Sequence, residues 1–319
     1  MKYKTKDKAV ILCNLGGPRN LDEVETFLLD LLGDPNVIQL PWFLKWFQKV
    51  LAKIIVKKRL PFSKKLYQDI GGKSPLVEIT QIQAELLEQK IGLKTFIFMN
   101  CGKPNAEDLK LRINEFNPNL DSVAVVPLFP QYSTTTSKTS IEKIECFVNE
   151  FFPDTKLNIV ESFATHPLFI QAWQQRIKAK IKHINEPFQL FFSAHGIPQS
   201  YVDKGDPYSS EVTASVDGIM KAFPGQKYTI CFQSRFGKGQ WLEPYTDKLI
   251  EEASPGTKIV VVPISFVSDH VETIHEIGIE FKELAEERNV DLLRVPGLNN
   301  SNIFIDCLAA LVEEKLKTL

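Results

Sequence analysis

Two stretches of the chain carry side chains that could act on a proton or a metal ion. The first is Phe188-Gln-Leu-Phe-Phe-Ser-Ala-His195-Gly-Ile-Pro198. A short apolar run closed by Gly196 and Pro198 reads as a buried parallel strand. Ligands of open α/β sheets bind just past the carboxyl ends of strands. His195 stands at that end, where a neutral imidazole can serve as a base or a ligand. A strand-end histidine bonded to a nearby loop is the ordinary alternative. The second stretch is Ser268-Asp-His-Val-Glu-Thr-Ile-His-Glu-Ile-Gly-Ile-Glu280. Read as an α-helix, it offers Asp269 and Glu272 as the two ends of a capping box. Asp269, Glu272, Glu276 and Glu280 then share one face at i+3 or i+4 spacing. Like charges stacked this way repel, so they belong on an exposed face or around cations. His270 and Glu272 supply nitrogen and oxygen donors suited to divalent iron, zinc or cobalt. The spacing is not H-E-x-x-H, which excludes a zincin.

Eight strand-like runs position these residues, in two sets of four. The first set covers residues 9–15, 95–101, 122–129 and 157–163, and the second covers 188–195, 228–234, 258–266 and 290–296. Amphipathic stretches of helical period lie between most of them, which predicts parallel sheets covered on both faces. The sets resemble each other. Each first strand runs into Gly and Pro, at Gly16-Gly17-Pro18 and Gly196-Ile197-Pro198, and each third strand carries Val-Val-Pro. The pattern predicts a duplication into two doubly wound domains with a cleft at their strand ends, 1–163 and 164–302, with a final helix 303–319 packing back on the first. His195 follows strand one of the second set and Glu272 follows strand three. Those ends are neighbours at the crevice of such a sheet, so the two side chains are expected to face each other.

The first half carries an insertion, residues 21–94. Within it, residues 40–55 repeat apolar positions every three or four residues, which predicts an amphipathic helix with a basic end at Lys53, Lys57, Lys58 and Arg59. Its aromatic content, with Trp42 and Trp46 off the main face, fits an apolar rim for a greasy ligand or a membrane surface as well as ordinary core docking.

At 319 residues, two domains are the expectation, and a chain of this length buries roughly 75% of its unfolded surface. A net charge of −1 gives no reason to expect nucleic acid. The five cysteines are scattered without a C-x-x-C pair, which fits a reducing compartment and argues against structural zinc or an iron–sulfur cluster. The charged start and short run at residues 9–15 predict a first strand rather than a signal peptide. No run of about 18 apolar residues is present to span a membrane. Gly16-Gly17-Pro18 lacks dinucleotide spacing, no Walker lysine motif occurs, and Ser193-Ala-His195 is not a nucleophile elbow.

Six motifs in order resemble the ferrochelatases, enzymes that insert ferrous iron into a porphyrin. They are Asn14-Leu-Gly-Gly-Pro18, Ile70-Gly-Gly-Lys-Ser-Pro-Leu76, Pro130-Gln-Tyr-Ser133, Ser193-Ala-His-Gly-Ile-Pro198, Ser234-Arg-Phe-Gly237 with Trp241-Leu242, and Ser268-Asp-His-Val-Glu-Thr273. The resemblance implies two flavodoxin-like domains with four-stranded parallel sheets and a porphyrin cleft between them. It implies His195 and Glu272 as the catalytic pair at the metal, and the aromatic insertion as the lip of the cleft. Tyr67, Ser74, Tyr132 and Ser234 match positions lining the porphyrin and metal path, Arg59 a position meeting a propionate, and Trp241 a wall aromatic. Asp269, His270 and Glu276 fall on the implied path for protons or metal. Ferrous iron is then a substrate, with no permanently bound cofactor and no iron–sulfur cluster. Leu15 stands where relatives using coproporphyrin carry tyrosine, which favours protoporphyrin IX. Coproporphyrin III with iron, sirohydrochlorin with cobalt, and a carrier without chelatase activity are the alternatives. Asn100 replaces an arginine common in bacterial relatives, with Lys103 as the expected substitute. The resemblance also implies a cytoplasmic protein with weak peripheral membrane association, and leaves room for contact with the preceding enzyme of haem synthesis.

Overall fold

The computed structural model describes residues 7–38, 40, 42–235 and 239–317, without the side chain of Lys45. The chain divides into two compact units. Residues 7–129, 133–162 and 305–317 form the first, and residues 130–132 and 163–304 the second. Phe236 and Gly237 of the recognised motifs lie outside the described residues, as does Pro41.

Each unit holds one four-stranded sheet, and all strand pairs are parallel. In the first sheet the strands are β1 (Lys8–Gly16), β2 (Lys94–Cys101), β3 (Ser122–Pro127) and β4 (Lys156–Ile159), in the order β2-β1-β3-β4. In the second they are β5 (Gln189–His195), β6 (Tyr228–Gln233), β7 (Lys258–Val262) and β8 (Asp291–Arg294), in the order β6-β5-β7-β8. The two orders are the same, as the internal repeat of the sequence predicts. The strands are apolar nearly throughout because helices cover both faces of a parallel sheet. Several end earlier than their apolar runs. β7 stops before Pro263, which has no N–H to give a ladder.

The alternation of side chains along the strands separates two faces. On one face of the first sheet, Ala9, Ile11, Cys13, Phe96, Phe98, Val123 and Val125 pack with Leu109, Ile144 and Phe147. On one face of the second, Phe191, Cys231, Ile259 and Val261 pack with Ile277, Phe281 and Ala285. In each order the chain leaves its first strand to one side and returns on the other. The crevice therefore lies between β1 and β3 in one unit and between β5 and β7 in the other.

The insertion departs from the expectation. Residues 40–55 are not one amphipathic helix. Trp42–Phe47 forms a 3₁₀ segment, and a 22-residue α-helix, Gln48–Asp69, follows with Pro61 inside it. The helix buries its small and polar residues, Gln48, Ala52, Val56, Ser63 and Tyr67. Gln48 fixes the entry, its Nε2 donating to the carbonyls of Leu32, Asp34 and Ile38. That anchor turns the bulky residues outward. Trp42 is 83% exposed and Trp46 is 76%, and Val50, Ile54 and Phe62 are exposed as well.

At the end of β1 the backbone runs very close to its neighbours. A Cβ on Gly17 would lie 2.6 Å from the Ser74 Cβ. Ser74 is buried and its N–H donates to the Pro18 carbonyl at 2.8 Å, so neither side can retreat. Gly17→Ala should therefore destabilise the first unit by roughly 1–3 kcal/mol, the usual range for overpacking. Thermal unfolding reads this as a melting temperature lower by a few degrees, and an unchanged midpoint would refute the packing argument.

Candidate active site

β5 changes character along one face. Phe191 belongs to the apolar cluster, Ser193 is fully buried and polar, and His195 ends the strand with its side chain 37% exposed. The imidazole is held in one tautomer. Nδ1 lies 2.6 Å from the Gly196 carbonyl oxygen, an acceptor only, so Nδ1 carries the hydrogen. Nε2 is then the free position, and it lies 3.7 Å from Glu272 Oε1. The strand end is itself braced. The His195 N–H donates to Ser265 Oγ at 3.0 Å, and the Tyr208 hydroxyl donates to the His195 carbonyl at 2.9 Å. Burial pushes the Tyr208 phenol up, which keeps it a donor. Phe266 stands edge-on to the His195 ring.

Glycine is required after His195. A Cβ at position 196 would meet the Gln233 carbonyl oxygen at 2.9 Å and the Trp241 ring at 3.3 Å. Trp241 forms an antiparallel bridge with Pro198, which places its indole beside this turn.

Glu272 opens a π-helix, Glu272–Glu280, rather than an α-helix. Val271 occupies the cap position without a side-chain cap, so the capping box expected from Asp269 and Glu272 does not form. Asp269 is committed elsewhere. It accepts from Thr273 Oγ1 (2.8 Å), Arg294 Nη1 (2.6 Å), the Gly297 N–H (3.2 Å) and Asn299 Nδ2 (2.8 Å). Burial works to raise its pKa, but these partners, Arg294 foremost, outweigh it and hold the carboxyl below its ordinary value. A carboxylate engaged in this way, with Oδ1 taking three of the four donors, anchors the helix start.

The wider spacing of a π-helix, whose hydrogen bonds run i to i+5, also redistributes the acidic residues. Glu280 pairs with His275 Nδ1 at 3.4 Å, five positions back, and so leaves the expected acidic row. His270 is buried against Phe266, ring centroids 4.4 Å apart, and its Nε2 lies 3.3 Å from Glu272 Oε2. Glu272 thus turns one oxygen to His270 and the other to His195.

Glu276 receives three donors, Gln233 Nε2 at 3.1 Å, the Ser234 N–H at 2.8 Å and the Ser234 hydroxyl. Ser234 reaches it from a left-handed backbone, φ 61°, a conformation that costs a non-glycine residue. The two neighbouring carboxyls differ sharply. Burial would raise Glu272, but the charge His195 carries when protonated and the hydrogen bond from His270 outweigh it and hold the group at about 2. Burial raises Glu276, and the negative Glu272 raises it further, to about 7 despite the Ser234 donors. Opposed environments of this kind mark acid–base sites.

The remaining expected residues fall in two places. His195, Glu272, His270, Glu276, Ser234 and Trp241 come together in the second unit. Tyr132 lies in the same unit, half-buried, with its N–H donating to Glu211. Leu15, Arg59, Tyr67 and Ser74 belong to the first unit. Leu15 is half-buried at the end of β1, Tyr67 is buried edge-on to Phe27, and burial works to lower the Arg59 pKa. Lys103 does not replace the missing arginine at Asn100. It lies 3.7 Å from Asp108, whereas Lys143 donates to the Asn100 carbonyl at 3.0 Å and pairs with Asp34 at 2.9 Å. Tyr208, Ser265, Phe266 and Gln233 carry no motif of their own, and no sequence signal separates them from core residues. The five cysteines are free, and only Cys146 is exposed.

The raised Glu276 has a consequence for stability. Unfolded, this carboxyl loses its proton near the ordinary 4.5, and folded it keeps it to about 7. Between those values the native state binds the extra proton, so its contribution to stability falls as pH rises through the window. Glu276→Gln lacks that decline, and its stability relative to wild type should gain on the order of 3 kcal/mol from pH 4.5 to above 7. Urea unfolding at a series of pH values measures the difference, and parallel stability profiles would refute the assignment.

The chain is similar to known proteins over its whole length. The family model described as Ferrochelatase matches residues 7–316. The ferrochelatase of Aquifex aeolicus is 39% identical over 97% of this chain and 99% of its own. That of a Picosynechococcus strain is 41% identical over 97% of this chain and 82% of its own. Among solved structures, SirB from Bacillus subtilis with Fe3+ superposes with a TM-score of 0.58 at 15% identity, covering 98% of both chains. A cobalt complex of SirB, a sirohydrochlorin chelatase, gives 0.57 at 13% identity over 98% of this chain and 96% of that one. At such identities these structures share the fold alone, but the match along the sequence is decisive: the chain belongs to the ferrochelatase family.

Proposed function

We propose that the protein inserts ferrous iron into protoporphyrin IX, releasing two protons and forming protohaem. One observation carries the reading: within this family's fold, His195 Nε2 is left free by the Nδ1 hydrogen bond and faces Glu272 at 3.7 Å. Insertion exchanges two pyrrole N–H protons for one divalent cation. Neutral His195 accepts a pyrrole proton at Nε2, and the imidazolium so formed is stabilised by the ionised Glu272 beside it. Glu276 can take and return a proton near neutrality, which suits it to pass protons away from that pair. As metal ligands, His195 and Glu272 offer only two donors, so the entering ion completes its shell with water and then with the macrocycle nitrogens.

Leu15, Tyr67, Ser74, Tyr132, Ser234 and Trp241 are assigned to the porphyrin and Arg59 to a propionate. Leu15 offers no hydroxyl to a polar substituent, which supports protoporphyrin over coproporphyrin III. The protein also binds the membrane surface weakly through the exposed Trp42, Phe43 and Trp46, next to the basic residues Lys49, Lys53, Lys57 and Lys58. No described helix is long and apolar enough to cross a membrane.

Anaerobic turnover of ferrous iron with protoporphyrin IX and coproporphyrin III in parallel tests the substrate. Faster haem formation from protoporphyrin is expected, and faster coproporphyrin turnover would overturn the meaning given to Leu15. His195→Ala should lower metal insertion at least about 100-fold, the scale of general-base catalysis, and leave porphyrin binding by fluorescence quenching near normal. Wild-type turnover in that variant would sink the proposed chemistry. Flotation with anionic vesicles should recover the wild type and lose it after Trp42→Ser with Trp46→Ser. Equal recovery of both would remove the membrane contact.

A further inference from the structure

A chain of buried hydroxyl and amide groups runs into Glu276 from the interior of the second sheet. Gln233, at the end of β6, is 4% exposed, and Ser193 and Thr246 are fully buried. Gln233 pairs with His195 in the strand register. Its Oε1 lies 2.7 Å from Ser193 Oγ, and its Nε2 lies 3.1 Å from Glu276 Oε2. Ser193 Oγ lies 2.8 Å from Thr246 Oγ1.

The directions of these bonds follow from the groups present. An amide oxygen only accepts, so Ser193 must donate to Gln233. Ser193 has one O–H, so its contact with Thr246 is one it accepts. Thr246 therefore donates to Ser193, Ser193 to Gln233, and Gln233 to Glu276. A half turn of the amide would reverse the hydroxyl chain and set the Gln233 oxygen against the Glu276 carboxylate oxygen, with the loss of that hydrogen bond. The left-handed Ser234 adds its N–H and hydroxyl to the same carboxyl from the other side.

The geometry points to Gln233 as a positioning residue for the metallation step, locked as a donor by Ser193 and Thr246 so that Glu276 is held in one orientation beside Glu272. Gln233 does not touch the reacting atoms. It fixes where the second carboxyl of the proton route stands, and Ser193 and Thr246 fix which end of Gln233 faces it. The inference rests on the iron-insertion reading given above. It also explains why polar side chains persist at positions 193 and 246 in a face otherwise filled by Phe191, Cys231 and Val261. Burying them costs free energy unless each hydrogen bond is made.

The test is steady-state metallation of protoporphyrin IX with ferrous iron and, separately, with zinc, in the full chain. Gln233→Leu removes the donor, and Ser193→Ala releases the amide. Each should lower kcat about tenfold, the scale of one lost hydrogen bond, with the porphyrin KM within about twofold of wild type. Thr246→Val, nearly isosteric, should cost less than either, and Thr246→Ser should stay within about twofold of wild type. Thermal melting accompanies each variant. A kcat that tracks melting temperature across the four, or wild-type kcat in Gln233→Leu, overturns the inference. If Ser193→Ala does not fold, the Gln233→Leu and Thr246 pair decide alone. A wild type that metallates neither ion would instead sink the function reading, which keeps the two failures apart.

Discussion

The chemistry available in the second unit depends on the 2.6 Å hydrogen bond from His195 Nδ1 to the Gly196 carbonyl. An imidazole at a strand end could turn either nitrogen outward. Bonded to the carbonyl of its own successor, it can offer only Nε2, and with a lone pair in the neutral state. That lone pair faces a carboxylate, an arrangement that repels until a proton or a cation comes between. Gly196 is part of the device, because only a residue without a Cβ lets the turn run against Gln233 and Trp241. Around it the brace is made of ordinary groups, a serine hydroxyl on the strand N–H and a tyrosine hydroxyl on the carbonyl.

The π-helix solves the opposite problem, crowding of like charge. In an α-helix Glu272, Glu276 and Glu280 would stack on one face. With the backbone wound to i+5 bonds, Glu280 is taken by His275, and Asp269 is neutralised by Arg294 before the helix starts. Two carboxyls remain, and different partners separate them. Glu272 is ionised between two histidines, and Glu276 is buried among neutral donors. Burial raises both, and the partners make their pKa values diverge, two histidines drawing Glu272 down and the negative Glu272 pushing Glu276 up.

Much of this was legible in the residues. Eight strands, their grouping by four and the meeting of His195 with Glu272 followed from apolar runs closed by Gly and Pro and from the rule that ligands sit at strand ends. The helix type was not legible, because Asp269 and Glu272 satisfy a capping box on paper and only the Arg294 and Asn299 partners, 25 and 30 positions away, show that Asp269 is engaged. The outward turn of Val50 and Ile54 was hidden for a similar reason. Periodicity finds an apolar stripe but cannot tell which face the remote carbonyls of Leu32, Asp34 and Ile38 will pull inward through Gln48. The cation beside Asn100 came from Lys143, 43 residues downstream, rather than from its neighbour Lys103.

The repeated strand order gives the two halves matching positions. Aligning Gly16-Gly17-Pro18 with Gly196-Ile197-Pro198 sets Leu15 opposite His195 and Cys13 opposite Ser193. In both halves the glycine that closes the first strand lies against the last carbonyl of the neighbouring strand, Cys101 in one and Gln233 in the other. The same corner is thus built twice, and only one copy ends in a proton acceptor. The copy that ends in leucine is free of the constraints that a proton acceptor imposes. Under the proposed assignment of Leu15 to the porphyrin, a change at this corner would alter which substrate is accepted and leave the proton chemistry of the other corner untouched.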